Sequence, residues 1–187
     1  MKEIDYALLL IKDGKIDAAR DMLADFLQSD PQNREALFNL GLCHGELGDP
    51  ENAVRTLSEC VKHHPDYSNA YVALGYAHSL LRQNGPAKEN LLKALELDPL
   101  NAYALRNLGS LYGQEKDYDR AVECFEKLFA DNPQDQQLAY GIGYAYFQAG
   151  RLDMAEKYLT AAIDLNRATQ LAETAMELLR DIVEINR

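Results

Sequence analysis

Residues 34–67 decide the fold, and they read REALFNLGLCHGELGDPENAVRTLSECVKHHPDY. Gly48 ends a first predicted helix, and Asp49 and Pro50 begin a second one, with aspartate as the N-cap and proline as the first helical residue. Pro65 ends the second helix, so the stretch predicts a helical hairpin. The first helix is indicated by apolar residues at helical spacing, which are Leu37, Leu40, Cys43 and Leu47.

The same pattern returns along the chain at a constant spacing of 34 residues. Because three columns share one register, coincidence is excluded, and the sequence predicts five repeat units. The units are 1–33, 34–67, 68–101, 102–135 and 136–169, and residues 170–187 follow them. The columns are Gly41, Gly75, Gly109 and Gly143; Ala19, Ala53, Ala87, Ala121 and Ala155; and Pro31, Pro65, Pro99 and Pro133.

The small residues of the repeat have a packing role in this prediction. We place the glycine on the first helix of each hairpin, where the second helix crosses it, and the alanine at the same crossing on the second helix. Small side chains let two helix backbones approach closely. A single hairpin cannot bury its apolar face alone, so the hairpins stack and each one stabilises its neighbours.

These residues resemble the tetratricopeptide repeat, a helix–turn–helix unit of about 34 residues. The resemblance implies an all-α fold, a right-handed superhelical α-solenoid of stacked hairpins. The sequence departs from the motif at its usual tyrosine, which is His44 and His78 in two units; both are predicted to be packed histidines. The fourth unit carries the motif residues Leu105, Leu108, Gly109, Tyr112, Ala121, Phe125 and Pro133.

Residues 170–187 predict one more helix, with a broad apolar stripe. We interpret it as a C-terminal capping helix over the exposed face of the last hairpin. The alternative is a helix that docks on another subunit, because the stripe is wide for a cap with one face in water. The stripe consists of Leu171, Ala172, Ala175, Met176, Leu178, Leu179, Ile182, Val183 and Ile185.

Composition limits the partners and the compartment. Nineteen basic against 30 acidic residues give a net charge of -11, so phosphate backbones are repelled and we expect no nucleic acid partner. No stretch approaches 18 apolar residues, so we expect no membrane insertion. Cys43, Cys60 and Cys124 are odd in number and widely spaced, which argues against disulfides and zinc. The first residues do not resemble a signal peptide, and we expect a cytoplasmic protein.

Motifs of catalysis are missing from the sequence. We find no GxSxG, no Walker loop, no HExxH and no GxGxxG motif. Gly141 and Gly143 lie on a predicted helix with no preceding strand, so they do not form a nucleotide loop. We therefore expect no enzyme activity, no cofactor and no metal.

A binding surface remains as the expected functional feature. In the tetratricopeptide family the first helices line the concave wall, and the resemblance implies groove residues at set positions of each unit. Apolar and aromatic side chains on such a wall are typical of a protein-binding site. Gly45 and Gly113 belong to the same set of positions. The predicted partner-binding groove consists of Phe38, Asn39, Leu42, Val72, Tyr76, Tyr103, Arg106, Asn107, Tyr140, Tyr144 and Phe147.

The family's carboxylate clamp, which holds the C-terminal tails of heat-shock chaperones, is not expected here. In the family, this clamp requires a lysine at the fifth position of a unit, and no unit of this chain has one. The residues at that position are Ile4, Phe38, Val72, Arg106 and Tyr140.

The sequence therefore predicts an adaptor or scaffold that binds a segment of another protein, extended or helical, in its groove. The alternative is a structural protein that self-assembles through the C-terminal helix and the hairpin edges into a homo-oligomer. Concentration-dependent size on a column separates the two.

Overall fold

A computed structural model describes residues 3–187 of the chain. Residues 1 and 2, with which the first predicted repeat begins, lie outside the described part. The described residues form eleven helices and contain no strand. They divide into two compact units, Met1–Asn101 and Ala102–Arg187, which are named unit 1 and unit 2.

Unit 1 consists of three helical hairpins. Each helix packs against the next one along the chain, and α3 also contacts α1 and α5. The first helices of the hairpins therefore lie side by side and form one wall, with the second helices behind them. The six helices are α1 Glu3–Lys12, α2 Ile16–Ser29, α3 Arg34–Glu46, α4 Pro50–His63, α5 Ser68–Leu80 and α6 Asn84–Leu97.

Unit 2 consists of two hairpins and a single last helix. The last helix, α11, packs on α10 and α9, just as α5 packs on α4 and α3 in unit 1. The predicted all-α fold of stacked helix–turn–helix repeats is confirmed. The five helices are α7 Ala102–Gln114, α8 Tyr118–Asp131, α9 Gln136–Gln148, α10 Leu152–Leu165 and α11 Gln170–Ile185.

The hairpin turn of residues 34–67 has the predicted geometry. The α4 helix begins at Pro50, and the carboxylate of Asp49 accepts a hydrogen bond from the backbone N–H of Asn52 at 3.1 Å. Gly48 has a positive φ of 75°. The same position has a positive φ in all five hairpins, although glycine occupies only three of them. The five residues are Gly14, Gly48, Arg82, Lys116 and Gly150.

The glycine column lies at the hairpin crossing, as predicted. Backbone atoms are close there, since a Cβ on Gly75 would lie 3.0 Å from the carbonyl oxygen of Ala87, and a large side chain also uses the space. A Cβ on Gly41 would lie 2.5 Å from Cγ of Leu57, and a Cβ on Gly109 would lie 2.6 Å from Cε1 of Phe125. The glycine therefore makes room for a large side chain one helical turn beyond the column alanine. The same relation joins Gly75 to Leu91 and Gly143 to Leu159.

The apolar face of α11 is divided between the core and the surface. Ala172, Ala175 and Ile182 are buried, and the last two belong to one core cluster with Ile142 and Leu159. Met176, Val183 and Ile185 are exposed at the edges of this buried face. Among the described helices, none combines the length and apolar character that crossing a bilayer requires.

Candidate partner-binding site

The wall of unit 1 contains a cavity of about 220 Å³, named here the unit 1 cavity. Leu42, Gly45 and Glu46 line it from α3, and Tyr76 and Leu80 line it from α5. Leu42 is 37% exposed and Tyr76 is 52% exposed. The large side chains of Leu42 and Tyr76 thus border an open recess. They are too exposed to be explained by packing in the core.

Small residues keep the unit 1 cavity open. A Cβ on Gly45 would meet no atom within 4 Å, so the α3 side of the cavity lacks a side chain at this point. On the α5 side the lining includes Ala73 and Ala77, which are small. Leu57 of α4 contributes to the lining from behind, and it is fully buried against Gly41.

The other three residues predicted for the groove of unit 1 serve mainly local packing. Phe38 meets Tyr67 edge to face, with ring centroids 5.2 Å apart. Val72 is buried, at 8% exposure. The amide nitrogen of Asn39 donates to a backbone carbonyl of its own helix at 2.8 Å. Only the remaining two residues of the predicted set in unit 1 line the cavity.

Glu46 and Leu80 line the cavity but were missed by the sequence prediction. Each follows a predicted groove residue by four positions, since Glu46 follows Leu42 and Leu80 follows Tyr76. Residues four apart lie on the same face of a helix. This spacing was the signal that could have identified them.

The cavity has a negative end. Glu46 is exposed, and it forms no ion pair with any side chain in residues 3–187. The α3 helix ends at Glu46 and the α5 helix ends at Leu80. Both helices therefore direct the negative end of their dipole to the same side of the cavity as this carboxylate. A cationic group is favoured at that position.

In unit 2 the predicted aromatic residues of α9 form a pair. Tyr140 and Tyr144 stack, with centroids 6.2 Å apart and an interplanar angle of 23°. Tyr144 is 41% exposed, whereas Tyr140 is half-buried, and burial raises the pKa of the Tyr140 hydroxyl. Phe147 packs against the core cluster of unit 2. Tyr144 is therefore the residue of this group that presents most surface to solvent.

The predicted residues of α7 lie in a different setting. Nη2 of Arg106 donates to Oδ2 of Asp135 at 2.8 Å, and Asp135 is also the N-cap of α9. Arg106 thus joins α7 to the beginning of α9. Asn107 is half-buried, and Tyr103 is 74% exposed.

Phe125 fills the region of unit 2 that corresponds to the unit 1 cavity. It stands at the repeat position of Leu57, 68 residues later. A Cβ on Gly109 would lie 2.6 Å from one edge of its ring, and a Cβ on Gly141 would lie 3.7 Å from the other edge. The ring therefore lies between α7 and α9.

Burial shifts the pKa values of the three cysteines and of His44. Burial raises the pKa of Cys43, Cys60 and Cys124 to about 11, so their thiols stay protonated at neutral pH and are weak nucleophiles. Burial also lowers the pKa of His44, whose Nδ1 lies 3.7 Å from Oδ2 of Asp49. In residues 3–187 no group of three or more His, Cys, Asp or Glu side chains could hold a metal ion.

Comparison with known families agrees with this geometry. Four models described as tetratricopeptide repeat match residues 10–74, 68–99, 90–123 and 109–172, and together they span residues 10–172. The chain belongs to the tetratricopeptide repeat family. Repeat arrays of this kind commonly bind other proteins on extended surfaces.

Known proteins with the same fold include two solved structures. The crystal structure of MamA is 28% identical with a TM-score of 0.80, over 86% of this chain and 94% of that chain. YrrB, described as a TPR protein with an unusual peptide-binding site, is 21% identical with a TM-score of 0.79, over 94% of this chain and 90% of that one. The likeness to YrrB shows the fold.

A curated relative is anaphase-promoting complex subunit 3 of Schizosaccharomyces pombe, which is 24% identical over 143 residues and 76% of this chain. The chain spans 21% of the length of that subunit.

Proposed function

We propose that the chain is a non-catalytic adaptor that binds a segment of another protein on the walls formed by its first helices. One observation carries the proposal. The ninth position of the repeat unit holds Leu42, Tyr76 and Tyr144, and all three are exposed although they are large and apolar. Truncation of aromatic anchors of this kind commonly costs about 2 kcal/mol or more of binding free energy.

The net charge and the buried cysteines bear on the type of partner and on the compartment that we propose. A net charge of -11 favours protein partners over nucleic acid and anionic lipid. The three cysteines are free and buried, which suits a reducing compartment such as the cytoplasm.

Self-assembly through α11 is the second candidate function. Met176, Val183 and Ile185 are exposed on this helix, and a second copy of the chain could cover them. Sedimentation velocity over a wide range of concentration tests this candidate. A constant sedimentation coefficient would remove it, and a concentration-dependent dimer that is lost on truncation at residue 169 would favour it.

The adaptor proposal is tested with a library of random twelve-residue peptides displayed on phage. We expect the full chain to enrich a family of peptides, and Tyr76→Ala combined with Tyr144→Ala to weaken their binding at least about tenfold, which corresponds to 1.4 kcal/mol. Circular dichroism and thermal unfolding should stay close to those of the parent, because both side chains are half exposed.

A matched control is Tyr6→Ala, which removes a tyrosine of similar exposure from α1 outside the predicted groove. It should leave peptide binding unchanged. The proposal is wrong if the parent enriches no peptide, or if the folded double variant binds the enriched peptides at parental strength. Unfolding of the double variant would also count against it, because the tyrosines would then be core residues.

A further inference from the structure

We infer that the unit 1 cavity receives one large apolar side chain of the partner segment, and that a lysine or arginine beside that side chain lies against Glu46. This inference rests on the proposed adaptor function and assigns the chemistry of its ligand. The partner is therefore a peptide segment in which an apolar anchor is adjacent to a basic residue.

The size and lining of the cavity support a single apolar anchor. Leu42, Tyr76 and Leu80 surround the opening, and the lining behind them includes Leu57 and Ala77. An apolar cavity of about 150 Å³ is large enough to hold benzene, and this one measures about 220 Å³. One leucine, methionine or phenylalanine side chain therefore fits, and it would bury the exposed faces of its neighbours.

The charge at the opening favours a basic neighbour. Glu46 is exposed, lacks an ion-pair partner in the described chain, and lies at the carboxyl end of α3 beside the carboxyl end of α5. Both the carboxylate and the helix dipoles attract a cation. The corresponding residues of the other repeats are Lys12, Leu80, Gln114 and Gln148, none of which is acidic. The acidic group therefore coincides with the repeat that has the cavity.

At the same repeat positions of unit 2, an aromatic ring occupies the space between the first helices. Phe125 replaces Leu57 and fills the space between α7 and α9. Gly113 stands at the position of Gly45 two repeats later, so both helix pairs have glycine there. The open space in unit 1 thus depends on leucine at position 57, where unit 2 has the larger Phe125.

The test of the apolar anchor uses peptides that the full chain selects from the random phage library. We expect their consensus to contain a large apolar residue adjacent to lysine or arginine. Gly45→Phe should fill the cavity and weaken the selected peptides at least about tenfold. The α3 fold should survive, because a Cβ at residue 45 meets no atom within 4 Å.

The matched control is Gly85→Phe, which lies on the second helix α6, outside the predicted groove, and also places its Cβ in open space. It should leave binding within about twofold of the parent. If Gly45→Phe fails to fold, Leu57→Phe replaces it, because it copies the Phe125 arrangement that unit 2 already accommodates. Equal binding by the parent and by a folded cavity-filling variant would overturn the inference.

The charge is tested by reversal on both sides. Glu46→Lys should weaken a selected peptide about threefold or more, and changing the basic residue of that peptide to glutamate should restore binding to this variant. Failure of this rescue, or a consensus without a basic residue, would overturn the proposal that a basic residue of the partner lies against Glu46.

The outcomes separate this inference from the adaptor function. One outcome is that the selected peptides bind the double variant of Tyr76 and Tyr144 more weakly but bind Gly45→Phe as strongly as the parent. This outcome would support the adaptor function and contradict the role of the unit 1 cavity. If the parent selects no peptide at all, both proposals fail.

Discussion

Two pairs of first helices carry the same repeat pattern and present different surfaces. Between α3 and α5 of unit 1, Leu57 leaves an open cavity of about 220 Å³. Between α7 and α9 of unit 2, Phe125 at the same repeat position places its ring against the sites of Gly109 and Gly141. The comparison teaches that a residue of the second helix, behind the wall, decides whether the wall has a recess.

The polar groups differ between these pairs as well. In unit 1 the carboxylate of Glu46 lacks an ion-pair partner within the described residues and is available to a ligand. In unit 2 the guanidinium of Arg106 is held by Asp135 at the beginning of α9. Arg106, which the sequence analysis placed in the groove, is therefore engaged in an ion pair within the fold. Glu46, which the sequence analysis missed, is available to a ligand.

The largest expected effect concerns the helix that completes unit 2. Deleting residues 170–187 removes the buried side chain of Ile182 and exposes the cluster around Ile142 and Leu159. We expect the free energy of unfolding to fall by at least about 3 kcal/mol, because burial of one large aliphatic side chain alone contributes about 1.5–3 kcal/mol. Urea unfolding followed by circular dichroism measures the change, and hydrogen exchange in α9 and α10 should rise more than in α3 and α4.

A pair of point variants controls for the deletion. Ile182→Ala should cost about 2–5 kcal/mol of stability because the side chain is buried. Ile185→Ala, on the exposed side of α11, should cost less than about 0.5 kcal/mol. Similar effects of the two variants, or a deleted chain as stable as the parent, would show that α11 is not a cap.

The second prediction probes the contact that fills the recess in unit 2. Gly109→Leu should displace the ring of Phe125 and lower the free energy of unfolding by about 1–3 kcal/mol, because a Cβ there would lie 2.6 Å from the ring. Gly113→Leu, one turn later on the same helix, should be neutral or slightly stabilising, because its Cβ enters open space and leucine favours helix. Denaturant unfolding of the two variants side by side is the measurement, and equal stability of both would mean that the crossing is misplaced.

The smallest expected effect is a pH dependence that belongs to unit 2. The hydroxyls of Tyr146 and Tyr158 donate to Oε1 of Glu126 at 3.0 and 2.9 Å. Burial, followed by this hydrogen bond, raises the pKa of Tyr158 from 10.0 to about 12. Between these two values the unfolded chain releases the proton and the folded chain retains it, so stability is full below pH 10 and falls as the pH rises toward 12.

Thermal unfolding across pH 8–12 measures this dependence, over a range chosen to bracket the two pKa values. Tyr158→Phe should flatten the alkaline decline, whereas Tyr76→Phe, which removes an exposed hydroxyl of unit 1, should not. A decline of the same steepness in the parent and in Tyr158→Phe would contradict the assignment to this cluster.

The positive-φ position of the five hairpin turns shows which turn residues local sequence signals can predict. The sequence predicts that Gly48 ends a helix, and this residue has a positive φ, as do Gly14 and Gly150 at the same repeat position. Arg82 and Lys116 adopt the same left-handed conformation without being glycine. No local signal marks them, because the conformation is imposed by the helices that the turn has to connect.

The sequence by itself determined the helical hairpins, their period and their small-residue columns, because helix spacing, N-caps and prolines act over a few residues. Only the tertiary structure decided which wall residues are exposed to solvent. Val72 and Tyr76 stand one turn apart on α5, yet the first is buried and the second is half exposed. Exposure depends on the volume of side chains from neighbouring helices, such as Leu57 against Phe125, and the repeat pattern assigns the same position to both.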